Sequence, residues 1–561
     1  MKTNAASREL PTTIEDALRA DLAKMTQERD AYRRSYELIR QELELLKRRI
    51  FVAKAERIDT TQLEFEFATL LHSLNELAET PALNVDIPDE KPKGPKRKPK
   101  GRRDLTQAVL EEERIELTDP LFEELVAKGK AERISYEESS KLAWKRGGMR
   151  RLVIARVKYR AVRSGTGVSD IETTPMPAET FPRLLAAPSL LAHVAIEKHC
   201  DGLPLFRIED RFRRDGASVD RGTMCRWLDA AGSLLGETVV AAARLEAFQT
   251  AFCLATDATG VAIQPEPRDD KKRQACRRGH YFVIIADRDH IFFEYTAKET
   301  SEVVSKMFKG YSGYIQADAK SVYDIIFRQN ANKALLPDDD DGAVRYEVGC
   351  WSHCRTKFWE SAMAKSAVAR EGLMRIRRIF EVDAGFRNKS PAQIKILRDD
   401  HLRPHLESFF AWAAEQYALV LNERGALRSA LGYAVRQKDA LLRVLEDGRL
   451  VLENNRSERQ LRKIAVGRKA WLFAGSDGHA ASAGHLLSMI ASARLHALDP
   501  ETYLRDIFRV LAHWPQDRYI ELAPKYWATT RARLINDEMA QEIGVVTVPP
   551  LLATQEQSPS N

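Results

Sequence analysis

From Leu18 onward, apolar and aromatic residues recur at alternating steps of four and three: Leu18, Leu22, Met25, Tyr32, Tyr36, Ile39, Leu43, Leu46 and Ile50, with Arg29 the polar member of the series. Such a repeat predicts a coiled-coil seam over residues 1–57 and self-association into a homo-oligomer. One long amphipathic helix packed within its own chain would give the same spacing. The pattern lapses in residues 58–103, which end in a Pro/Gly-rich basic linker containing Lys96, Arg97, Lys98, Arg102 and Arg103. A segment of this kind stays extended and grips phosphates without reading sequence, or is merely solubilising.

Residues 104–175 read as a small mixed module, with a strand in RLVIARVKYRAV (151–162). A helical region follows over 176–245. Within it, PLFRIEDRFRRDGASVDRGTMCRWLDAA predicts a helix, a turn at Gly216 and a second helix from about Asp220. That is the layout of a helix-turn-helix with Arg221, Thr223 and Arg226 facing a groove, and equally of two ordinary packed helices.

At residue 250 the period changes to that of strands. TAFCLAT (250–256) ends at Asp257, HYFVIIAD (280–287) and HIFFEYT (290–296) are joined by a short turn, a helix spans Lys298–Lys309, YIQA (314–317) ends at Asp318, and VRYEVGCW (344–351) leads into a helix. This order predicts a ribonuclease H-like mixed sheet within an α/β multidomain chain, with both aspartates at strand ends where ligands gather. Asp is also a common turn residue, and the acidic run Asp338–Asp341 reads as a surface loop. The amphipathic segments LRPHLESFFAWAAEQYALVL and RSALGYAVRQKDALLRVLED predict a helical insertion over 366–448, dividing the core into 246–365 and 449–495. A C-terminal helical region (496–540) and a flexible tail (541–561) complete the chain.

The densest stretch is 449–476, RLVLENNRSERQLRKIAVGRKAWLFAGS, in which Glu458 lies among Arg456, Arg459, Arg462, Lys463, Arg468 and Lys469. A carboxylate for a metal ion beside bases for a polyanion would explain this composition. Asn455 and Glu458 also have the spacing of a capping box, with Asn455 capping a helix from Arg456. AWLFAG reads as a short apolar strand or buried turn.

Bulk properties narrow the classes. At 561 residues, three or more units are expected. The 88 basic residues nearly balance 81 acidic ones, leaving a net charge of +7, so a nucleic-acid partner must be argued from where charge sits. The six cysteines include no CxxC pair, as in a reducing cytoplasm. MKTNAASREL lacks a signal-peptide core and no long uncharged run spans a bilayer, so no membrane partner is expected. Cys350, His353 and Cys354 lack a fourth zinc ligand nearby, and Trp351, His353 and Phe358 read as packing residues. Trp412 reads as a core residue or a base-stacking one.

LATDATG, GYIQADAKSVYD, GCWSHCRTKFWE, YAVRQKDALLRVLEDGRL, ENNRSERQLRKIAVGRKAWLFAGS and DPETYLRDIF together resemble the Insertion Sequence 66 family of transposases. LKRRIFVAKAERID and LAPKYWA resemble the family's flanking segments. The resemblance implies a DDE transposase with Asp257, Asp318 and Glu458 as the catalytic, metal-binding acids. It further implies DNA partners (terminal inverted repeats and target) and small accessory proteins of the same element. Two Mg²⁺ (or Mn²⁺) ions held by three carboxylates suit in-line phosphodiester cleavage and strand transfer, with Arg462, Lys463, Arg468 and Lys469 clamping the backbone. Two departures stand out. Residues 104–199 lack the cysteines of the family's zinc module, so zinc is not expected, and Ala258 stands in the first motif where the family usually has an acid. A DNA-binding repressor that no longer cuts, and a nuclease without strand transfer, are the alternative functions.

Overall fold

The computed structural model describes residues 111–145, 148–161, 171–265, 274–327, 342–364 and 366–551. The coiled-coil seam, the basic linker with Lys96, Arg97, Lys98, Arg102 and Arg103, and the acidic run Asp338–Asp341 lie outside the described residues. Two compact units divide the chain: one contains Trp351–Leu452, the other the remaining described residues.

Alternating apolar and polar residues build the first sheet, from β1 (Glu111–Leu117), β2 (Ala131–Lys145), β3 (Gly148–Ala161) and β4 (Ile171–Thr173), with α1 (Pro120–Ala127) between the first two strands. Its order is β1-β3-β2, with β4 also on β3; β1 runs parallel to β3 and the others antiparallel. Leu152 and Ile154 are fully buried in β3, while Arg151–Glu112 and Arg156–Glu137 pair across neighbouring strands.

Three helices follow: α2 (Pro188–His199), α3 (Leu205–Arg214) and α4 (Arg221–Leu235), the last continuing through a π-helical turn (Gly236–Val240) into α5 (Ala241–Thr250). The expected turn between α3 and α4 contains Gly216 at φ +87°, a conformation that glycine adopts without a Cβ penalty. Asp220 caps α4, accepting from the backbone N–H of Gly222 and Thr223.

The second sheet comprises β5 (Cys253–Ile263), β6 (Arg277–Ala286), β7 (His290–Thr296), β8 (Gly313–Gln316) and β9 (Arg345–Val348), with α6 (Ser301–Met307) and α7 (Asp324–Phe327) in the connections. Its order is β7-β6-β5-β8-β9, antiparallel on the β7 side and parallel from β5 to β9. Two expectations need correction. β5 does not stop before Asp257 but runs on to Ile263, because β6 pairs with it up to Ile263↔Arg277. The helix expected over 298–309 is only Ser301–Met307, capped by Thr300 and ended at Phe308.

Residues 351–452 are all helical: α8 (Trp351–Met363), α9 (Ala367–Ala384), α10 (Pro391–Leu397), α11 (Arg403–Leu419), α12 (Ala426–Arg436) and α13 (Lys438–Leu442). Trp351, Phe358, Phe409, Phe410 and Trp412 form the aromatic core, and Trp412 is only 7% exposed. Arg398, also buried, is bonded to Asp383 and to the carbonyls of Val444, Asp447 and Leu450.

The chain ends with α14 (Asn455–Trp471), α15 (Asp477–Leu495), α16 (Pro500–Val510), α17 (Pro524–Arg531) and α18 (Asn536–Ala540). α15 covers the open edge of β7. The Ser488 and Ser492 hydroxyls accept the backbone N–H groups of Phe293 and Ile291, so the edge donors are satisfied by a helix rather than left to pair with another strand. Among the described residues no helix is long and apolar enough to cross a membrane.

Candidate active site

Strand register brings the first two acids together. Ala255 of β5 pairs in parallel with Gln316 of β8, a separation of 61 residues. Asp257 and Asp318 each lie two residues beyond that last pair and keep the same 61-residue offset, Asp318 just past the end of β8. Asp257 thus lies within β5, but at the point where parallel pairing with β8 has ended. Side-chain alternation fixes the face. Leu254, Ile315 and Ala317 point into the larger core, whereas Ala255, Val261 and Ile263 point to the face covered by Leu461 and Ile464 of α14. Asp257 and Asp318 share the parity of that second face.

α14 is tied to the same point. Asn454, 1% exposed, donates from Nδ2 to the carbonyl of Thr256 (2.7 Å), the residue before Asp257. Its Oδ1 accepts from the Ser457 hydroxyl (2.7 Å), and its backbone N–H donates to Cys350 Sγ (3.3 Å) beyond the end of β9. The helix therefore begins one residue earlier than expected. Asn455 lies inside it and donates to Glu453 instead of capping, and the buried Asn454 takes the junction position. Glu458 stands exposed in the first turn.

Sequence reading gave no role to Lys320, Glu299 and His280. Lys320 Nζ is 3.3 Å from Asp318 Oδ2 and 3.4 Å from Glu299 Oε1, and Glu299 Oε2 is 3.1 Å from His280 Nδ1. Burial alone would push the Lys320 ammonium down, but Asp318, Glu299 and Asp257 together raise it above the ordinary lysine value. Burial pushes the Tyr323 hydroxyl well up, and Asp318 and Asp257 push it further. Asp257 and Asp318 thus act on common neighbours.

The fit of this donor set to a divalent cation is partial. Asp318 Oδ1 is buried without a hydrogen-bond partner, which is an acceptor a hard cation would satisfy. Among the described residues, however, no three His, Cys, Asp or Glu side chains are grouped so as to hold a metal ion. The two aspartates come together; Glu458 does not complete a triad with them.

The bases of α14 divide by face. Arg462, Arg468 and Lys469 are exposed, and Arg468 also donates to the Gly260 carbonyl. Lys463 points elsewhere: burial lowers its ammonium, assisted by nearby Arg494, with Cys200 also close. On α4, Arg221 and Arg226 are exposed, and Arg226 donates to the Thr223 hydroxyl (3.0 Å). AWLFAG is not a strand: α14 runs through Trp471, Leu472 and Phe473 are exposed, and only Ala474 bridges β5, opposite Ile263.

Comparison with known proteins identifies a family. The family described as Transposase IS66 family matches residues 183–482, and the IS66 C-terminal element matches residues 488–525. Two proteins of Sinorhizobium fredii (strain NBRC 101917 / NGR234), named uncharacterized proteins y4hP and y4qI, are each 26% identical to this chain. The y4hP match covers 65% of this chain and 66% of the relative; the y4qI match covers 86% and 87%. With the family match spanning more than half of its 561 residues, this chain belongs to the IS66 family of transposases.

Proposed function

We propose that the chain binds the terminal inverted repeats of an insertion sequence and, through Asp257, Asp318 and Glu458, cleaves DNA strands and transfers them to target DNA. The observation that supports this reading is the 61-residue offset that Asp257 and Asp318 share with the last β5–β8 pair, together with their common influence on Lys320 and the anchoring of α14 to Thr256. The β7-β6-β5-β8-β9 order supports a ribonuclease H-like core.

Two Mg²⁺ or Mn²⁺ ions bound there would supply charge stabilisation to the entering and leaving oxygens of an in-line displacement. Asp257 and Asp318 are the residues that would hold them, with Glu458 as the third candidate ligand. Arg462 and Lys469 take backbone phosphates along α14, and Arg221, Thr223 and Arg226 contact DNA from α4. Water attacks the phosphodiester at the element's end and releases a 3′-hydroxyl, which attacks a target phosphodiester in turn, with no covalent enzyme intermediate. The basic linker adds non-specific grip, the N-terminal seam makes a homo-oligomer, and accessory proteins of the element act with it in the cytoplasm.

A second reading, a repressor that binds but does not cut, is favoured by Ala258 and by the absence of a three-acid group among the described residues. Incubating purified protein with labelled element-end DNA and Mg²⁺ separates the readings. Nicking plus a joined product supports the transposase, binding alone the repressor, and nicking without joining a simple nuclease. Glu458→Gln is expected to abolish nicking and retain binding. A variant that cuts as fast as the parent would remove Glu458 from the chemistry.

A further inference from the structure

The end of α14 carries a feature that DNA cleavage does not account for. Leu472 follows the helix at φ +66° and ψ −52°, and the Phe473 N–H donates back to the Trp471 carbonyl at 2.8 Å. This is a γ-turn with positive φ at a branched, non-glycine residue, a conformation that persists only where the surroundings enforce it. The enforcement is visible on both sides. Ala474 is clamped to β5, donating to the Ala262 carbonyl (2.9 Å) and accepting from Gln264 (2.8 Å), while Arg468 holds the Gly260 carbonyl.

The strained turn projects apolar groups into solvent: Leu472 is 64% exposed and Phe473 42%. The turn continues a single exposed stripe of α14 through Glu458, Arg462, Val466 and Lys469, with spacings of four, four and three residues. An apolar tip at the end of a stripe that carries two bases, Arg462 and Lys469, and starts at a candidate catalytic acid matches the chemistry of duplex DNA: phosphates for the cations, stacked base faces for the tip.

We propose that Leu472 and Phe473 form a wedge that enters the duplex between base pairs and unstacks one step. Apolar side chains used in this way kink DNA, and flanking cations hold the backbone. The proposal rests on the DNA-cutting reading above. It also fixes a distance. Leu472 is 14 residues beyond Glu458, about 21 Å along the helix, which corresponds to roughly six base-pair steps of duplex from the scissile phosphate.

The test uses full-length protein and a duplex carrying the terminal inverted repeat of the element that encodes it, with 2-aminopurine placed in turn at each step inward of the cleavage site. Anisotropy of the same duplex reports binding independently. Emission is expected to rise at a step roughly six base pairs from the scissile phosphate. Phe473→Ala should remove that rise and weaken binding on the order of tenfold, as loss of one aromatic–base stack does. Phe473→Trp should keep it, and Glu458→Gln should keep it without nicking. Leu472→Gly, which relaxes the positive φ, should lower the rise while leaving the unfolding temperature no lower than the parent's. Binding with no brightened step, or a rise that survives in Phe473→Ala, would overturn the wedge alone. Absence of any anisotropy change would overturn the DNA reading together with it.

Discussion

Asn454→Ala tests the joint on which the candidate site depends. The side chain is 1% exposed and makes two hydrogen bonds of 2.7 Å, to the Thr256 carbonyl and from the Ser457 hydroxyl; Ser457 is itself fully buried. Truncation leaves an acceptor on β5 and a hydroxyl on α14 without these partners, away from water. At about 1–3 kcal/mol for each of the two stranded groups, the loss is roughly 2–6 kcal/mol. Because the bonds join the start of one helix to one strand, the loss should appear first as local opening. Native-state hydrogen exchange of the amides of residues 457–464 should accelerate by a factor between roughly 30 and 20,000, while amides of β6 change less. Asn454→Asp should be worse than alanine, since a carboxylate offers no donor to the Thr256 carbonyl and adds a buried charge. Ser457→Ala combined with Asn454→Ala should cost less than the two singly, because they share one bond. Unchanged exchange across the first two turns of α14 in Asn454→Ala would refute the argument that this side chain positions Glu458.

The remaining predictions concern stability. Arg398→Met should lower the unfolding temperature of the 351–452 unit in calorimetry, by the equivalent of about 3–5 kcal/mol, because Asp383 and three carbonyls lose a buried cationic partner. His199 is held neutral down to about 3 by burial, with nearby Lys198 adding to the effect. The unfolded chain therefore takes up a proton that the folded one refuses. This penalty is absent above the free-imidazole value of about 6.5 and grows as pH falls from there towards the folded value. Unfolding temperature should decline between about pH 6.5 and pH 5, and His199→Phe should flatten that slope; a flat parental profile would count against it.

Much of the fold can be read from local pattern, and the errors have identifiable causes. The turn at Gly216 and the helix start near Asp220 were legible because both are settled by neighbouring residues. The end of β5 was not, because Asp257-Ala258-Thr259 resembles a turn; what carries the strand on is β6, whose pairing lies outside any local window. AWLFAG was read as buried from its apolar composition, yet helix propensity continues through Trp471 and leaves Leu472 and Phe473 in water. Asn455 had the spacing of a cap, whereas Asn454 was chosen by a partner 198 residues earlier in the chain. Glu299 and His280 escaped notice because they reach Lys320, the near neighbour of Asp318, only through tertiary placement. The spacing of Asp257 and Asp318 became informative only beside the strand register.

The helical unit between β9 and α14 departs and returns at one doorway. The Trp351 N–H donates to the Leu452 carbonyl at 2.8 Å, and just outside that pair Cys350 accepts from the Asn454 N–H. An excursion that leaves and rejoins the chain at neighbouring residues returns it close to where it left. Such a unit can be enlarged, trimmed or exchanged between lineages without shifting a strand or moving an acid. Diversification in this family therefore has a place to accumulate that the chemistry does not feel.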